Sequence, residues 1–181
     1  MFTRIEAPAE MPVTLEEIRA HCVVDISDDD ALLEALVAAA YSQAEHRTGR
    51  ALLPQVWTLE CSAGAIAKSH AIPLRHDTTD VLSVTWIDSA GKQQEWPSSN
   101  YRLQGRYRLV PVSGWPDTGG APMTITFRCG RFPTVATLPQ DIKAWIKLHA
   151  ATLYANREAV QGGQQVALPR SFVDGLLDPT C

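Results

Sequence analysis

Two apolar stripes of helical period, one early in the chain and one late, are separated by residues 52–130, where the period is two. An isolated amphipathic helix cannot bury its own stripe, so each of the two needs the other. The late stripe lies in residues 138–160, where Ile142, Trp145, Ile146, His149 and Leu153 fall at i, i+3, i+4, i+7 and i+11 along one helix face. Pro139 suits the first turn, where a missing N–H costs nothing, Asp141 complements the positive end of the helix dipole, and Gly162-Gly163 ends the helical preference. The early stripe, Leu32, Leu33, Leu36, Val37, Ala40, Tyr41 and Ala44, runs to Thr48 with Gly49 as its stop. Ahead of it, Thr14-Leu15-Glu16-Glu17 is a capping box that opens a short helix to His21, and Ser27, in a turn with Asp25, Asp28, Asp29 and Asp30, is placed to cap the longer helix.

Between the helices, Trp57, Leu59 and Cys61 alternate with polar neighbours, as do Leu82, Val84 and Trp86, and Met123, Ile125, Phe127 and Cys129. These are strands. Asp88-Ser89-Ala90-Gly91 supplies a tight turn, and Tyr101-Arg102-Leu103 and Tyr107-Arg108-Leu109 flank Gly105 as a second hairpin. The residues through Pro12 show no periodicity and read as an extended arm. The expected fold class is α+β, a helical core from residues 13–50 and 138–160 with an inserted antiparallel β unit at about 52–130, in a single domain 1–181 with a tail at 161–181.

With 181 residues, 45% hydrophobic and 20% charged, the chain has material for a sizeable core. Sixteen basic and twenty acidic side chains give a net charge of −4, which argues against a basic module wrapped on nucleic acid. No apolar run is long enough to span a bilayer and the N-terminus carries no signal pattern, so no membrane partner is expected and the chain is expected to be made and kept in the cytosol. Cys22, Cys61, Cys129 and Cys181 are far apart with no Cys-x-x-Cys spacing, which predicts reduced thiols and neither a zinc knuckle nor a redox pair.

Motifs that carry chemistry are few. The aspartate turn lacks the glycine and glutamate positions of a calcium loop, and the five histidines show no metal-ligand spacing, so neither a metal nor another cofactor is expected. Asp117-Thr118-Gly119 matches the short aspartic-protease signature, in which a dimer would share one proton between two such carboxylates. Its setting, Gly114-Trp115-Pro116 before and Gly120-Ala121-Pro122 after, suits a Pro-Asp-x-Gly turn better than a dry dimer axis. There is no nucleophile elbow, P-loop or dinucleotide fingerprint, and no enzyme is expected. A monomeric binding module that uses the β unit is the other non-enzymatic reading. Beyond Gly162-Gly163-Gln164-Gln165, the tail residues Leu168, Phe172, Val173, Leu176 and Leu177 are apolar and need a surface to cover, in this chain or in a neighbour.

Four stretches, in this order and spacing, resemble the head-tail connector (adaptor or head-completion) proteins of tailed bacteriophages, prophages and gene transfer agents, in the longer branch with a β insertion between the helices. They are Asp29-Asp30 through Glu45-His46-Arg47-Thr48-Gly49-Arg50-Ala51-Leu52, Ser83-Val84-Thr85-Trp86-Ile87-Asp88 with its Gly91 turn, Tyr101-Arg102-Leu103 with Ser113-Gly114-Trp115-Pro116, and Leu138-Pro139-Gln140-Asp141-Ile142-Lys143 with Tyr154-Ala155-Asn156-Arg157-Glu158. One departure is Arg131-Phe132 after Gly130, where the family more often has a Gly-Tyr turn.

The resemblance implies a structural virion protein that forms a homo-oligomeric, twelve-fold ring at the neck, beneath the portal. Such a ring extends the DNA conduit, passes genomic DNA without sequence-specific binding, and offers a platform to the tail-completion or stopper protein. It implies location in the virion at the portal vertex, and in the host cytoplasm during assembly. The candidate partner interface is Phe172, Val173, Leu176 and Leu177, docking on the portal or an adjacent subunit, together with Arg157, whose planar guanidinium suits a bidentate contact within the subunit or across the ring.

Overall fold

The computed structural model describes residues 1–68, 70–156 and 177. In chain order the elements are β1 (Phe2–Glu6), α1 (Leu15–Cys22), α2 (Asp30–Thr48), β2 (Gln55–Cys61), α3 (Ala63–Lys68), β3 (Ile72–Pro73), β4 (Thr78–Ile87), β5 (Gln93–Glu95), β6 (Tyr101–Gln104), β7 (Arg108–Pro111), β8 (Met123–Cys129) and α4 (Gln140–Ala155). The architecture is α+β, as the two periods predict. The chain divides into a helical unit, Glu10–Gly49 with Thr134–Cys181, and a sheet unit, Met1–Ala9 with Arg50–Pro133.

In the helical unit the capping box forms as expected: the Glu17 N–H donates to Thr14 Oγ1 at 3.2 Å and the Thr14 N–H to Glu17 Oε2 at 2.9 Å. The second cap differs. Ser27 does not cap α2; its backbone carbonyl accepts the Asp30 N–H in a turn, so Asp29 precedes the helix, and Asp29 makes no side-chain cap bond. Its carboxylate instead accepts the Tyr154 hydroxyl at 2.6 Å, which ties the start of α2 to the end of α4. The α2 stripe buries Leu33, Val37, Ala40, Tyr41 and Ala44, and α4 buries Ile142, Trp145, Ile146 and Ala150. The two helices pack along each other with α1 against both, so each stripe is buried by the other. The helix predicted over 138–160 runs from Gln140 to Ala155, with Pro139 as its N-cap.

The sheet unit holds a five-stranded antiparallel sheet, ordered β1-β2-β8-β4-β5, and a three-stranded one, β3-β7-β6. The central strand β8 keeps strict alternation, with Met123, Ile125, Phe127 and Cys129 fully buried. Each such burial is worth about 1.5–3 kcal/mol for a large side chain. Parity fails in β4. Register shifts between Thr78 and Asp80 and between Val81 and Ser83 turn Leu82, expected inside, to 44% exposure, while Val81 packs on the core. The N-terminal arm is a strand, β1, paired with β2 along a sheet edge and exposed at every residue, which is why no apolar alternation marks it. Ile66 of α3, Ile72 of β3 and Leu74 complete the core from a segment whose pattern had not marked it as structured.

Candidate functional site

The chain's acidic and basic side chains are unevenly divided. By sequence the sheet unit carries ten Lys and Arg against seven Asp and Glu, a net of +3, and the helical unit six against thirteen, a net of −7; the two give the chain's −4. A net charge of −4 therefore does not by itself exclude nucleic-acid contact, because the total averages two regions of opposite sign.

At the base of the sheet unit, Asp77 is 5% exposed and sits in the left-handed region at φ 62°. Arg50 Nη1 lies 2.6 Å from its Oδ2 and Arg131 Nη1 3.6 Å from its Oδ1. The Asp77 carbonyl accepts the Gly130 N–H, and the Arg131 and Phe132 N–H groups donate to the carbonyls of Ala51 and Leu52. A Cβ on Gly130 would stand 2.8 Å from the Pro54 nitrogen, so only glycine lets these two backbone segments approach. The Gly130-Arg131-Phe132 departure is thus a cross-brace between the two ends of the sheet unit, with an arginine added to the Asp77 pair.

In the helical unit the aspartate turn is held by its own neighbours. Arg19 pairs with Asp30 at 3.5 Å and donates to the Asp25 carbonyl at 3.0 Å, while Asp29 takes Tyr154. His149, on the α4 stripe, is half-buried, stacks on Trp145 with ring centroids 4.6 Å apart and lies 2.6 Å from Gln43 Oε1.

Asp117 is exposed and its Oδ1 accepts the Gly119 N–H at 2.9 Å, while Thr118 Oγ1 donates to the Ala121 carbonyl at 2.8 Å. The carboxylate closes a turn. A groove of about 830 Å³ beside it is lined by Ile66, Val110, Trp115 and Pro116, with His70 and Asp117 as its titratable groups. Asp88 makes the analogous turn at the β4–β5 hairpin: the Gln94 amide and the Lys92 and Ala90 N–H groups donate to its carboxylate and hold it below the usual carboxylate range, the Gln94 bond most.

Of the predicted interface residues, Leu177 is 8% exposed; Phe172, Val173, Leu176 and Arg157 lie outside the described residues. Exposed large apolar side chains occur at Met1, just ahead of β1, at Ile5 on β1, and at Val23 and Ile26 in the loop before α2.

The model of the phage gp6-like head-tail connector proteins matches residues 12–103, half of the chain. The chain belongs to that family. It is a structural head-tail connector and not an enzyme. No curated protein matches this connector. Among solved structures it is similar to a chain in the neck of an empty gene transfer agent (GTA) particle computed with C6 symmetry, at 24% identity over 98% of this chain and 93% of that chain, with a TM-score of 0.79. It is also similar to a chain of the native GTA virion, at 22% identity over 98% and 93% with a TM-score of 0.78. A chain from the neck of a native GTA particle computed with C12 symmetry matches at 23% identity over 98% and 92%, with a TM-score of 0.74. At these identities the likeness is one of fold, and it runs over nearly the full length of this connector.

Proposed function

We propose that this connector assembles into a closed ring of twelve copies at the neck of a virion, between portal and tail, and extends the conduit through which genomic DNA passes. The observation that carries the reading is the shared fold over 98% of the chain with a subunit of a GTA neck computed with C12 symmetry. Head-to-tail contacts that close by rotation make such a ring, and one surface on each copy then meets a different surface on the next. Charge segregation supports this mode: like units face to face would oppose charges of the same sign, whereas a +3 unit against a −7 unit attracts. We read residues 1–181 as one connector domain that uses both units. Its ring would be assembled in the host cytoplasm and would receive the tail-completion or stopper protein on its far side.

In this reading the tail after Gly162-Gly163 docks on the portal or on an adjacent subunit through Phe172, Val173, Leu176 and Leu177, and Arg157 adds a polar contact. Repetition around a ring strengthens a contact that is weak alone. The burial of Leu177 within a single chain favours the connector's own helical unit as part of the surface that covers it. Deletion of residues 164–181, followed by sedimentation with portal rings, tests the docking: the truncated protein is expected to stay folded and to lose portal association. Undiminished co-sedimentation would leave the tail as part of the subunit's own core.

A further inference from the structure

The hairpin β6–β7 carries basic residues with no acidic counterpart. From Trp96 to Pro116 the sequence has no Asp or Glu and three arginines, Arg102, Arg106 and Arg108. The register pairs Gln104 with Arg108 and Arg102 with Val110, so Arg102, Gln104, Arg108 and Val110 share one face of the three-stranded sheet. Leu103 and Leu109 point the other way, with Leu109 and its β3 partner Ile72 in the core. Arg102, Gln104 and Arg108 are exposed, and so is Arg106 at the tip. Among the described residues no carboxylate pairs with any of these three arginines.

The tip is held in place. The Leu74 N–H donates to the Tyr107 carbonyl at 2.7 Å and the Thr78 N–H to the Arg106 carbonyl at 2.8 Å. Tyr107 stacks on His76 with centroids 5.1 Å apart, and the Arg108 guanidinium lies 4.9 Å from the Tyr107 ring centroid. Arg106 itself has φ 58°, a conformation in which Gly or Asn is less strained. A guanidinium is thus kept at a backbone position that disfavours it.

We propose that this face contacts the phosphate backbone of double-stranded DNA without reading its sequence. The inference rests on the connector reading for its setting, a ring around passing DNA, and adds the surface that touches it. An acidic protein surface is the other polyanion to consider, but protein interfaces are built around an apolar centre with a charged rim. Within β6 and β7 no large apolar side chain is exposed: Val110, which shares the arginine face, is half-buried, and the exposed Val112 lies beyond β7, at the opposite end of the hairpin from Arg106. A polar face rich in arginine, with a tyrosine and a histidine beside it, is the composition of a phosphate-contacting surface.

The test uses the full chain and a labelled mixed-sequence duplex, with affinity followed against salt. Three phosphate contacts per chain correspond to a slope of log affinity on log salt of about −2.7, or a loss of about 40-fold between roughly 50 and 200 mM. The triple variant Arg102→Gln, Arg106→Gln, Arg108→Gln is expected to lose that component of the slope, and the triple Lys variant, which keeps the charge, to retain it. Both are checked for unchanged melting and oligomeric state. Equal slopes for wild type and the Gln variant, or no duplex binding by wild type at low salt, would overturn the proposal. So would a Gln variant that binds DNA as wild type does but no longer associates with itself or with portal rings, since the face would then meet an acidic protein surface. If no ring forms yet charge-dependent DNA binding persists, the ring reading fails and the arginine face stands.

Discussion

Replacing Asp77 by Asn removes one negative charge from between two guanidinium groups and leaves the shape of the side chain almost unchanged. Asn tolerates the left-handed backbone at φ 62° as well as Asp does, so the perturbation is electrostatic and adds no backbone strain. Opposite charges about 4 Å apart attract by about 4 kcal/mol at an effective dielectric of about 20. Asp77 is 5% exposed, but the Arg50 and Arg131 side chains are 30% and 34% exposed, so water resolvates both once the carboxylate is gone. The Asn oxygen still accepts one hydrogen bond. A net cost of about 2 kcal/mol follows, below the 3–5 kcal/mol typical of breaking a fully buried pair. For a chain of this length that corresponds to a melting temperature lowered by about 4–8 °C if it unfolds as one unit. Arg131→Gln, which removes the longer of the two contacts, is expected to cost less. Calorimetry of the three proteins decides it: an Asn variant that melts within about 1 °C of wild type would refute the view that Asp77 braces the two ends of the sheet unit.

Trp145→Ala empties a fully buried site on α4 and is expected to cost about 3–5 kcal/mol, read by denaturant unfolding; a loss below about 1 kcal/mol would remove Trp145 from the helical core. The low end of the range is favoured, because the Trp145 indole N–H has no hydrogen-bond partner among the described residues and its desolvation is recovered on truncation. Tyr154→Phe deletes a bond to a charged acceptor and is expected to cost about 1.5–3 kcal/mol, with hydrogen exchange at the start of α2 as the local readout. Asp88 is held below its usual carboxylate range, so its folded-state preference is for the charged form; its stabilisation is complete above the unfolded value and is lost as pH falls through the folded one. Asp88→Asn is therefore expected to flatten the acid limb of the stability profile below about pH 4 and to leave the shape of the neutral region unchanged.

Elements whose side chains face one core could be read from period alone: α2, α4 and β8 lie where their stripes put them, and Gly49 ends α2 in the left-handed conformation expected of a helix stop. What period could not show is where backbone geometry or another strand decides. β1 is exposed at every residue and exists because β2 offers it a free edge, and Leu82 faces outward because a bulge shifts parity within β4. Ser27 was a reasonable cap by type, but the Asp30 N–H bonds to its carbonyl and moves the helix start past it. The arginine face was visible as an acid-free run between Glu95 and Asp117, yet a net charge of −4 concealed it. The Asp77 cluster joins residues from three distant segments, and nothing local in any of them announces the pairing. The resemblance stretches at Asp29 and Tyr154 are joined directly by one hydrogen bond, which gives that pair of segments a physical link.

Cryo-electron microscopy of the full-length connector mixed with portal rings tests the central claim most directly. The account predicts a closed ring of twelve copies seated coaxially on the portal, matching the C12 symmetry used for the neck whose subunit shares this fold. A connector that stays monomeric and leaves the portal rings bare would contradict it.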